Sequence, residues 1–192
     1  MRLCRRAADI SYVPRNIRLK LAIRFLLRVR TRQKPPKPNI KDTNHSRAAF
    51  AGRAFSTGTA WCVEGNLGAA LWLPPGVKPD ADAIASILDE SVAHDVMADV
   101  NTMFAEMTAY HPHNPHWYLP TIGVEPHLHR KGFGSRLLTE TLKQCDQEHM
   151  PAYLESSNPA NAALYQRFGF DGLGVIRVGH SPPIVPMLRS AR

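Results

Sequence analysis

The stretch W-Y-L-P-T-I-G-V-E-P-H-L-H-R-K-G-F-G-S-R-L-L, from Trp117 to Leu138, decides the fold of this chain. Its first eight residues, Trp117 to Val124, are mostly apolar and predict a strand. Glu125 and Pro126 then predict a bend, and the apolar spacing from Gly132 to Glu148 predicts a helix. A strand that passes through a glycine-bearing loop into a helix is the basic unit of an α/β domain.

The loop in this unit has the composition of an anion-binding site. Gly132 and Gly134 let the backbone approach a phosphate closely, and the following helix adds its unpaired first-turn amides and the positive end of its dipole. Arg130 and Lys131 bring positive charge to the same place, and Ser135 brings a hydroxyl donor. The spacing matches neither the dinucleotide fingerprint G-x-G-x-x-G nor the nucleotide loop G-x-x-x-x-G-K-[ST], so both of those site classes are excluded.

Elements on either side of this unit complete one domain. Two short apolar runs separated by a polar, Gly-containing segment predict a hairpin, and apolar residues at three- and four-residue spacing predict one or two helices after it. The hairpin strands are Thr59 to Val63 and Gly68 to Leu73, the helices lie between Asp82 and Ala109, a later strand is Pro151 to Ser156, a short helix is Ala160 to Phe168, and closing strands follow Val175. This alternation predicts an α/β fold around one sheet.

A second informative segment is L-E-S-S-N-P-A-N-A-A-L-Y-Q-R-F-G-F, from Leu154 to Phe170. Pro159 suits the start of a helix, and Gly169 suits its end. Asn161 and Tyr165 are four residues apart and therefore share a face of that helix. A tyrosine that faces a ligand cleft is able to donate its proton to a departing thiolate, whereas a half-buried tyrosine with a satisfied hydroxyl would be structural.

Together the two segments resemble one family. H-R-K-G-F-G-S-R-L-L resembles the phosphate-binding motif Q/R-x-x-G-x-G/A of the GNAT superfamily of acetyl-CoA-dependent acetyltransferases, with His129 where Gln or Arg is usual. N-P-A-N-A-A-L-Y-Q-R-F-G-F resembles that superfamily's later motif N-x-A-x-x-x-Y. The segments W-Y-L-P-T-I-G-V-E-P and Y-L-E-S-S-N-P are similar in sequence to the GNAT branch that includes puromycin N-acetyltransferase. The resemblance covers about residues 59–192 and is strong over residues 117–170.

The resemblance implies a GNAT-type mixed central sheet flanked by helices, with acetyl-CoA as co-substrate. The pantetheine arm would pair with strand backbone at a splay between two strands, and loop amides would hold the pyrophosphate. The implied cofactor contacts are Ile122, Gly123, Val124, His129, Arg130, Lys131, Gly132, Gly134, Ser135 and Asn161. Tyr165 would protonate the coenzyme A thiolate as it leaves.

The first 50 residues carry the positive charge of the chain. They hold 14 of the 24 Lys and Arg residues and 2 of the 16 acidic residues, so residues 51–192 carry 10 basic against 14 acidic side chains. The net charge of +8 therefore gives no reason to expect a nucleic-acid-binding domain. Ile17 to Arg30 fits a strand period and also a helical stripe, and Gln33 to Pro38 predicts a linker.

We therefore divide the chain into a basic, Pro-containing extension, residues 1–58, and an N-acetyltransferase domain, residues 59–192. The extension is expected to be poorly ordered and to replace the first strand and helices with which GNAT domains usually begin. Those elements form part of the usual acceptor pocket, so a non-catalytic acetyl-CoA-binding paralogue is an alternative. A further alternative is an adaptor that binds anionic membrane or nucleic acid through residues 1–37, and an Arg-rich N-terminus also suits a mitochondrial presequence.

The function that we predict is acetyl-CoA-dependent acetyl transfer to an amine of a small molecule. An alkylammonium with a pKa of about 10 must lose a proton before it attacks, and the candidate bases are Glu125, Glu155 and His116. The loop histidines lack the i, i+4 spacing of a zinc-binding helix, so no metal is expected. These histidines are His111, His113, His116, His127 and His129.

The remaining composition predicts a cytoplasmic protein. Cys4, Cys62 and Cys145 are widely spaced and form no C-x-x-C pair, which predicts no disulfide framework. No apolar run approaches the length of about 18 residues that a membrane helix needs, so no transmembrane segment is expected.

Overall fold

The computed structural model describes residues 3–5, 48–63 and 67–192. The strands are β1 (Leu3–Arg5), β2 (Ala60–Val63), β3 (Gly68–Leu73), β4 (Trp117–Val124), β5 (Ala152–Ser156), β6 (Asp171–Gly172) and β7 (Val185–Arg189). The helices are α1 (Arg53–Ser56), α2 (Ala81–Ser91), α3 (His94–Tyr110), α4 (Phe133–Gln147) and α5 (Ala162–Arg167), with 3-10 turns at Pro126–Leu128 and Pro159–Asn161. Residues 48–51 are also helical.

One mixed sheet of seven strands organises the described residues, in the order β1-β2-β3-β4-β5-β7-β6. Neighbouring strands are antiparallel except for β4 and β5, which are parallel. A parallel pair needs a crossover connection, and α4 supplies it between β4 and β5. The predicted mixed α/β fold with flanking helices is confirmed, and the predicted hairpin and the strand Trp117 to Val124 both form.

The two central strands β3 and β4 are out of step at one point. Leu71 pairs with Thr121, but Leu73 pairs with Tyr118, so two steps along β3 match three steps along β4. The extra residue makes a β-bulge at Leu119 and Pro120. A proline suits a bulge because it has no N–H to donate to a ladder.

Helices cover both faces of the sheet. On one face, α4 buries an apolar stripe at helical spacing against β3, β4 and β5. The buried residues of α4 are Phe133, Leu137, Leu138, Thr141, Leu142 and Cys145. On the other face, Ala51 and Ala54 pack against Leu71, Tyr118 and Tyr153. A third apolar cluster joins α2 and α3 to Phe50.

The structure moves the domain boundary that the sequence suggested. Residues 48–58 were placed in a poorly ordered extension, but Ala51 and Ala54 are 1% and 0% exposed and belong to the core. The N-terminal region also supplies a strand, because Leu3–Arg5 pairs antiparallel with β2. The sequence misled us here because residues 48–56 are mostly alanine and glycine, which give a weak apolar period.

The other proposals about the extension lie outside the described residues. These are the strand or helix over Ile17 to Arg30, the linker from Gln33 to Pro38, and the adaptor function of residues 1–37. Among the helices that the structure describes, none is long and apolar enough to cross a membrane.

Phe50 tests whether residues 48–58 belong to the core. Its ring is 6% exposed and stacks on Phe104 with 6.4 Å between ring centroids. Phe50→Ala should lower the free energy of unfolding by about 3–5 kcal/mol, measured by urea denaturation. Leu173→Ala, at a position 41% exposed, is the control and should change it by only about 0.5 kcal/mol. Equal effects of the two substitutions would contradict this assignment.

Candidate active site

The parallel strands β4 and β5 separate toward their carboxyl ends. The ladder between β4 and β5 runs from Trp117 and Ala152 to Leu119 and Leu154 and ends there. Beyond it, residues 121–124 of β4 stay paired with β3, and Glu155 and Ser156 of β5 stay paired with β7. Each strand therefore keeps its outer neighbour, and the two diverge from the bulge at Leu119 and Pro120. This splay lies where a bound chain could pair with the inner edge of β4.

The loop after β4 is shaped by two residues with left-handed backbone. Arg130 has φ 62° and Gly132 has φ 83°. A left-handed conformation costs a non-glycine residue about 1–2 kcal/mol, which explains the glycine at position 132. A Cβ on Gly132 would meet no atom within 4 Å, so the N-terminus of α4 opens onto free space among the described residues.

Four amides at the start of α4 have no backbone hydrogen-bond partner in the described part of the chain. The first hydrogen bond of the helix runs from Arg136 N to Gly132 O, and no side chain caps the helix. The amides of residues 132–135 therefore point out of the helix with its positive dipole end. Arg130 and Lys131 are exposed beside them. Unpaired amides and two cations suit a pyrophosphate.

The structure corrects one part of the predicted phosphate cradle, which is the loop from His129 to Ser135. We expected the amides from His129 to Ser135 to hold phosphate, but His129 N donates to Pro126 O at 3.2 Å and Lys131 N donates to Leu128 O at 3.3 Å. The His129 ring also serves the loop, because its Nε2 donates to Val124 O at 3.0 Å. His129 therefore ties the loop to the end of β4, and the carbonyl of Val124 is engaged by it.

A buried polar atom also lies at the splay. Thr121 is 5% exposed, and its hydroxyl has no hydrogen-bond partner among the described residues. Cross-strand partners share a face of a sheet, so pairing with Leu71 places Thr121 on the face opposite α4. A buried hydroxyl without a partner is costly, and a ligand in the splay would satisfy it.

Tyr165 and Asn161 lie on the short segment that packs beside the start of α4. A Cβ placed on Gly134 would lie 3.6 Å from Leu164 Cδ2, so α5 touches the first turn of α4. Asn161 is exposed and precedes α5, whereas Tyr165 is 5% exposed and contacts the Phe170 ring. Burial raises the pKa of Tyr165 to about 12, so its hydroxyl stays protonated at neutral pH.

A polar cluster occupies the opposite face of the sheet, at the mouth of the splay. Tyr118 donates to Glu155 Oε2 at 2.8 Å, and His111 Nδ1 lies 3.8 Å from Glu155 Oε1. The Nε2 atoms of His111 and His116 are 3.0 Å apart. The His111 ring packs between Tyr118 and Tyr153, with centroid distances of 4.9 and 4.7 Å.

The sequence prediction found only part of this cluster. It named Glu155 and His116 as candidate bases, but it missed His111, Tyr118 and Tyr153. Alternation along a strand places Tyr153 and Glu155 on one face, which was a usable signal. The parallel register that joins Tyr118 to Tyr153 was not visible in the sequence. The third candidate, Glu125, begins the 3-10 turn after β4, where its N–H donates to Leu67 O.

Metal ligation finds no support in the described residues. No group of three or more His, Cys, Asp and Glu side chains is arranged there to hold a metal ion.

Comparison with known proteins identifies the fold family. The model of the acetyltransferase (GNAT) family matches residues 70–170, which include β4, the loop, α4 and α5. The chain belongs to this family. The match covers both segments on which the resemblance rests, and it covers the splay and the cradle.

Relatives and solved structures agree with this assignment. The chain is 36% identical over 76 residues to an uncharacterised N-acetyltransferase of Schizosaccharomyces pombe. The matched segment is 38% of this chain and 31% of that relative, so the chain spans about a third of the relative's length. A histone acetyltransferase HPA2-related structure from Corynebacterium glutamicum superposes with a TM-score of 0.64 at 20% identity, covering 99% of this chain and 96% of that one. A Drosophila melanogaster polyamine N-acetyltransferase gives a TM-score of 0.61 at 14% identity, with 98% and 100% coverage. The similarity to a puromycin N-acetyltransferase branch stays a prediction.

Gly132 offers a test of the cradle with a matched control. Gly132→Asp places a carboxylate at the open end of α4, and like charge should weaken coenzyme A binding by about tenfold or more, measured by calorimetry. Gly76→Asp is the control, because Gly76 has φ 82° and also has nothing within 4 Å of its Cβ position. Both variants should lose similar stability, since both carry the same left-handed strain. Equal affinity of the two variants for coenzyme A would show that the loop is a simple turn.

The polar cluster should make stability depend on pH through His116. Burial lowers the pKa of His116 below its ordinary value of 6.5. The unfolded chain then binds a proton that the folded chain excludes, so this contribution to stability is present above about pH 6.5 and is lost as the pH falls. His116→Gln takes up no proton, so the unfolding free energies of the wild type and the variant should converge between about pH 7 and about pH 5. Denaturation curves that stay parallel over this range would contradict the prediction.

Proposed function

We propose that this chain is an N-acetyltransferase that uses acetyl-CoA to acetylate an amine of a small molecule. The observation that carries the proposal is the splay between β4 and β5, which opens beside an uncapped helix N-terminus with free amides. A strand edge and an anion cradle in this order suit a ligand with an extended amide-bearing arm and a pyrophosphate. Membership of the GNAT family supports acetyl-CoA as that ligand.

The residues that would hold acetyl-CoA lie along the splay and at the start of α4. Backbone of Ile122 and Gly123 would pair with the pantetheine arm, and the amides of residues 132–135 would bind the pyrophosphate. Arg130 and Lys131 would add charge, and Asn161 would contact the cofactor from the start of α5. When bound, acetyl-CoA supplies an activated acetyl group.

Tyr165 is the proton donor in this proposal. It is buried against Phe170 in the helix that touches α4, and its raised pKa keeps the hydroxyl protonated at neutral pH. A protonated hydroxyl beside the departing sulfur stabilises the negative charge that develops there and donates its proton to it. No charged group has to be desolvated for this role.

An amine is the acceptor that the opposite face suits best. The Glu155 carboxylate is 2% exposed at the mouth of the splay, where it would attract a cationic amine. The fold neighbour from Drosophila is an enzyme that forms N-acetylagmatine, which is an acetylated cationic amine. A panel of alkylamines incubated with acetyl-CoA, with release of free thiol as the readout, tests the proposal. Binding of coenzyme A without thiol release from any amine would favour the non-catalytic alternative.

Tyr165→Phe tests the proton donor, because it keeps the ring and removes the hydroxyl. Turnover should fall about 10²–10⁴-fold while coenzyme A affinity changes little, since most cofactor contacts come from the backbone. Tyr110→Phe is the control, because the Tyr110 hydroxyl packs against Gly174 and has no role in the site. Unchanged turnover in Tyr165→Phe would show that the Tyr165 hydroxyl is structural.

A further inference from the structure

We infer that His111 is the base that removes the proton from the acceptor amine. This inference rests on the proposed function. It adds a residue that neither the sequence motifs nor the family match assigns, and it starts from the polar cluster of Glu155, His111, His116, Tyr118 and Tyr153.

The hydrogen bonds of the cluster fix the tautomer of each imidazole. His116 Nδ1 lies 2.7 Å from the Asn114 carbonyl oxygen, which accepts only, so this nitrogen carries a proton. In a neutral ring the Nε2 of His116 is then an acceptor. It lies 3.0 Å from His111 Nε2, so His111 donates from Nε2. In a neutral His111, Nδ1 is therefore the ring nitrogen that carries no proton.

This nitrogen faces the negative charge that would stabilise it as a cation. His111 Nδ1 and Glu155 Oε1 are 3.8 Å apart, which is too long for a direct hydrogen bond and close enough for an ion pair. Tyr118 donates to the other carboxylate oxygen and so fixes the orientation of the Glu155 side chain. A proton that arrives at Nδ1 would therefore lie next to a fixed carboxylate, which stabilises the imidazolium.

The other titratable groups that pack against His111 take no proton. They are Tyr118 on β4, Tyr153 on β5 and His116 in the same loop. Burial and the nearby Glu155 raise the pKa of Tyr118 and of Tyr153 well above the ordinary value, so both stay neutral and protonated. Burial lowers the pKa of His116, which favours its neutral form.

Position and exposure make His111 more reachable than the carboxylate beside it. Its side chain is 33% exposed, whereas that of Glu155 is 2% exposed. Glu155 is the first residue of β5 beyond the ladder with β4, so the pair stands at the mouth of the splay. The Thr121 hydroxyl, which has no hydrogen-bond partner among the residues that the structure describes, lies on the same face.

The proton step balances without a further reactant. An N–H bond of the ammonium breaks, its electron pair stays on the amine nitrogen, and an N–H bond forms at His111 Nδ1. The neutral amine then attacks, and the exposed His111 ring releases the proton to water. His116 is a positioning residue, because it holds the tautomer in which Nδ1 is the basic nitrogen.

His111→Gln tests whether His111 is the base. The variant is compared with the wild type on two amines that differ in how much they depend on a base. The first is the alkylamine that the wild type acetylates fastest, and the second is its 2,2-difluoro analogue, whose ammonium is far more acidic, so that a much larger fraction of this amine is neutral at pH 7. The variant should lose about 10²-fold or more in kcat/KM on the alkylamine and less than about tenfold on the fluorinated amine. Its rate on the alkylamine should keep rising at a pH where that of the wild type has levelled off.

Matched variants separate this role from folding and from the proposed function. His113 is exposed in the same loop and serves as the control. His113→Gln should leave kcat/KM on both amines and the pH profile unchanged. If His111→Gln fails to bind coenzyme A or to fold, His116→Gln replaces it and should show the same selective loss on the alkylamine, at about tenfold. Equal losses on both amines with an unchanged pH profile, or no loss on either, would overturn the role of His111 and leave the proposed function standing. A wild type that binds coenzyme A and acetylates no amine would overturn both.

Discussion

The site depends on one extra residue in β4. The bulge at Leu119 and Pro120 breaks the register with β3, and the ladder with β5 ends at the same place. A regular strand would have continued the parallel pairing and closed the sheet at this point. The proline has no N–H to donate, so the strand loses pairing where the bulge bends it. The outer neighbours β3 and β7 keep both strands in the sheet while they diverge.

The divergence lets the two faces of the sheet carry different chemistry. On one face, apolar residues of α4 pack on the strands, and the first turn of that helix is left with free amides. On the other face, Glu155, His111 and the two tyrosines form a partly buried polar cluster. A co-substrate bound at the first face and an acceptor that enters from the second would meet in the splay. The covering of the second face by residues 48–56 shows that this N-terminal segment is part of the domain.

Local signals in the sequence were enough to predict the strand, loop and helix that form one side of the site. Apolar period, glycines and prolines predicted the strand Trp117–Val124, the helix α4 and the loop that joins them. The sequence did not predict contacts that depend on register, such as Tyr118 beside Tyr153, because the parallel register of β4 and β5 is set across the α4 crossover and not by a local turn. It also gave no sign that His129 bonds to Val124 O, or that Ala51 and Ala54 are buried, since small residues carry little apolar signal.

Amide hydrogen exchange with and without acetyl-CoA tests the central claim most directly, because it reports where the ligand contacts the backbone. Binding in the splay predicts slower exchange in peptides that cover residues 120–124 and residues 132–136. Peptides that cover α2 and α3 should show much smaller changes. Protection of α2 and α3 instead, or no change at a saturating concentration of acetyl-CoA, would contradict the account of a cofactor site built between β4, β5 and the start of α4.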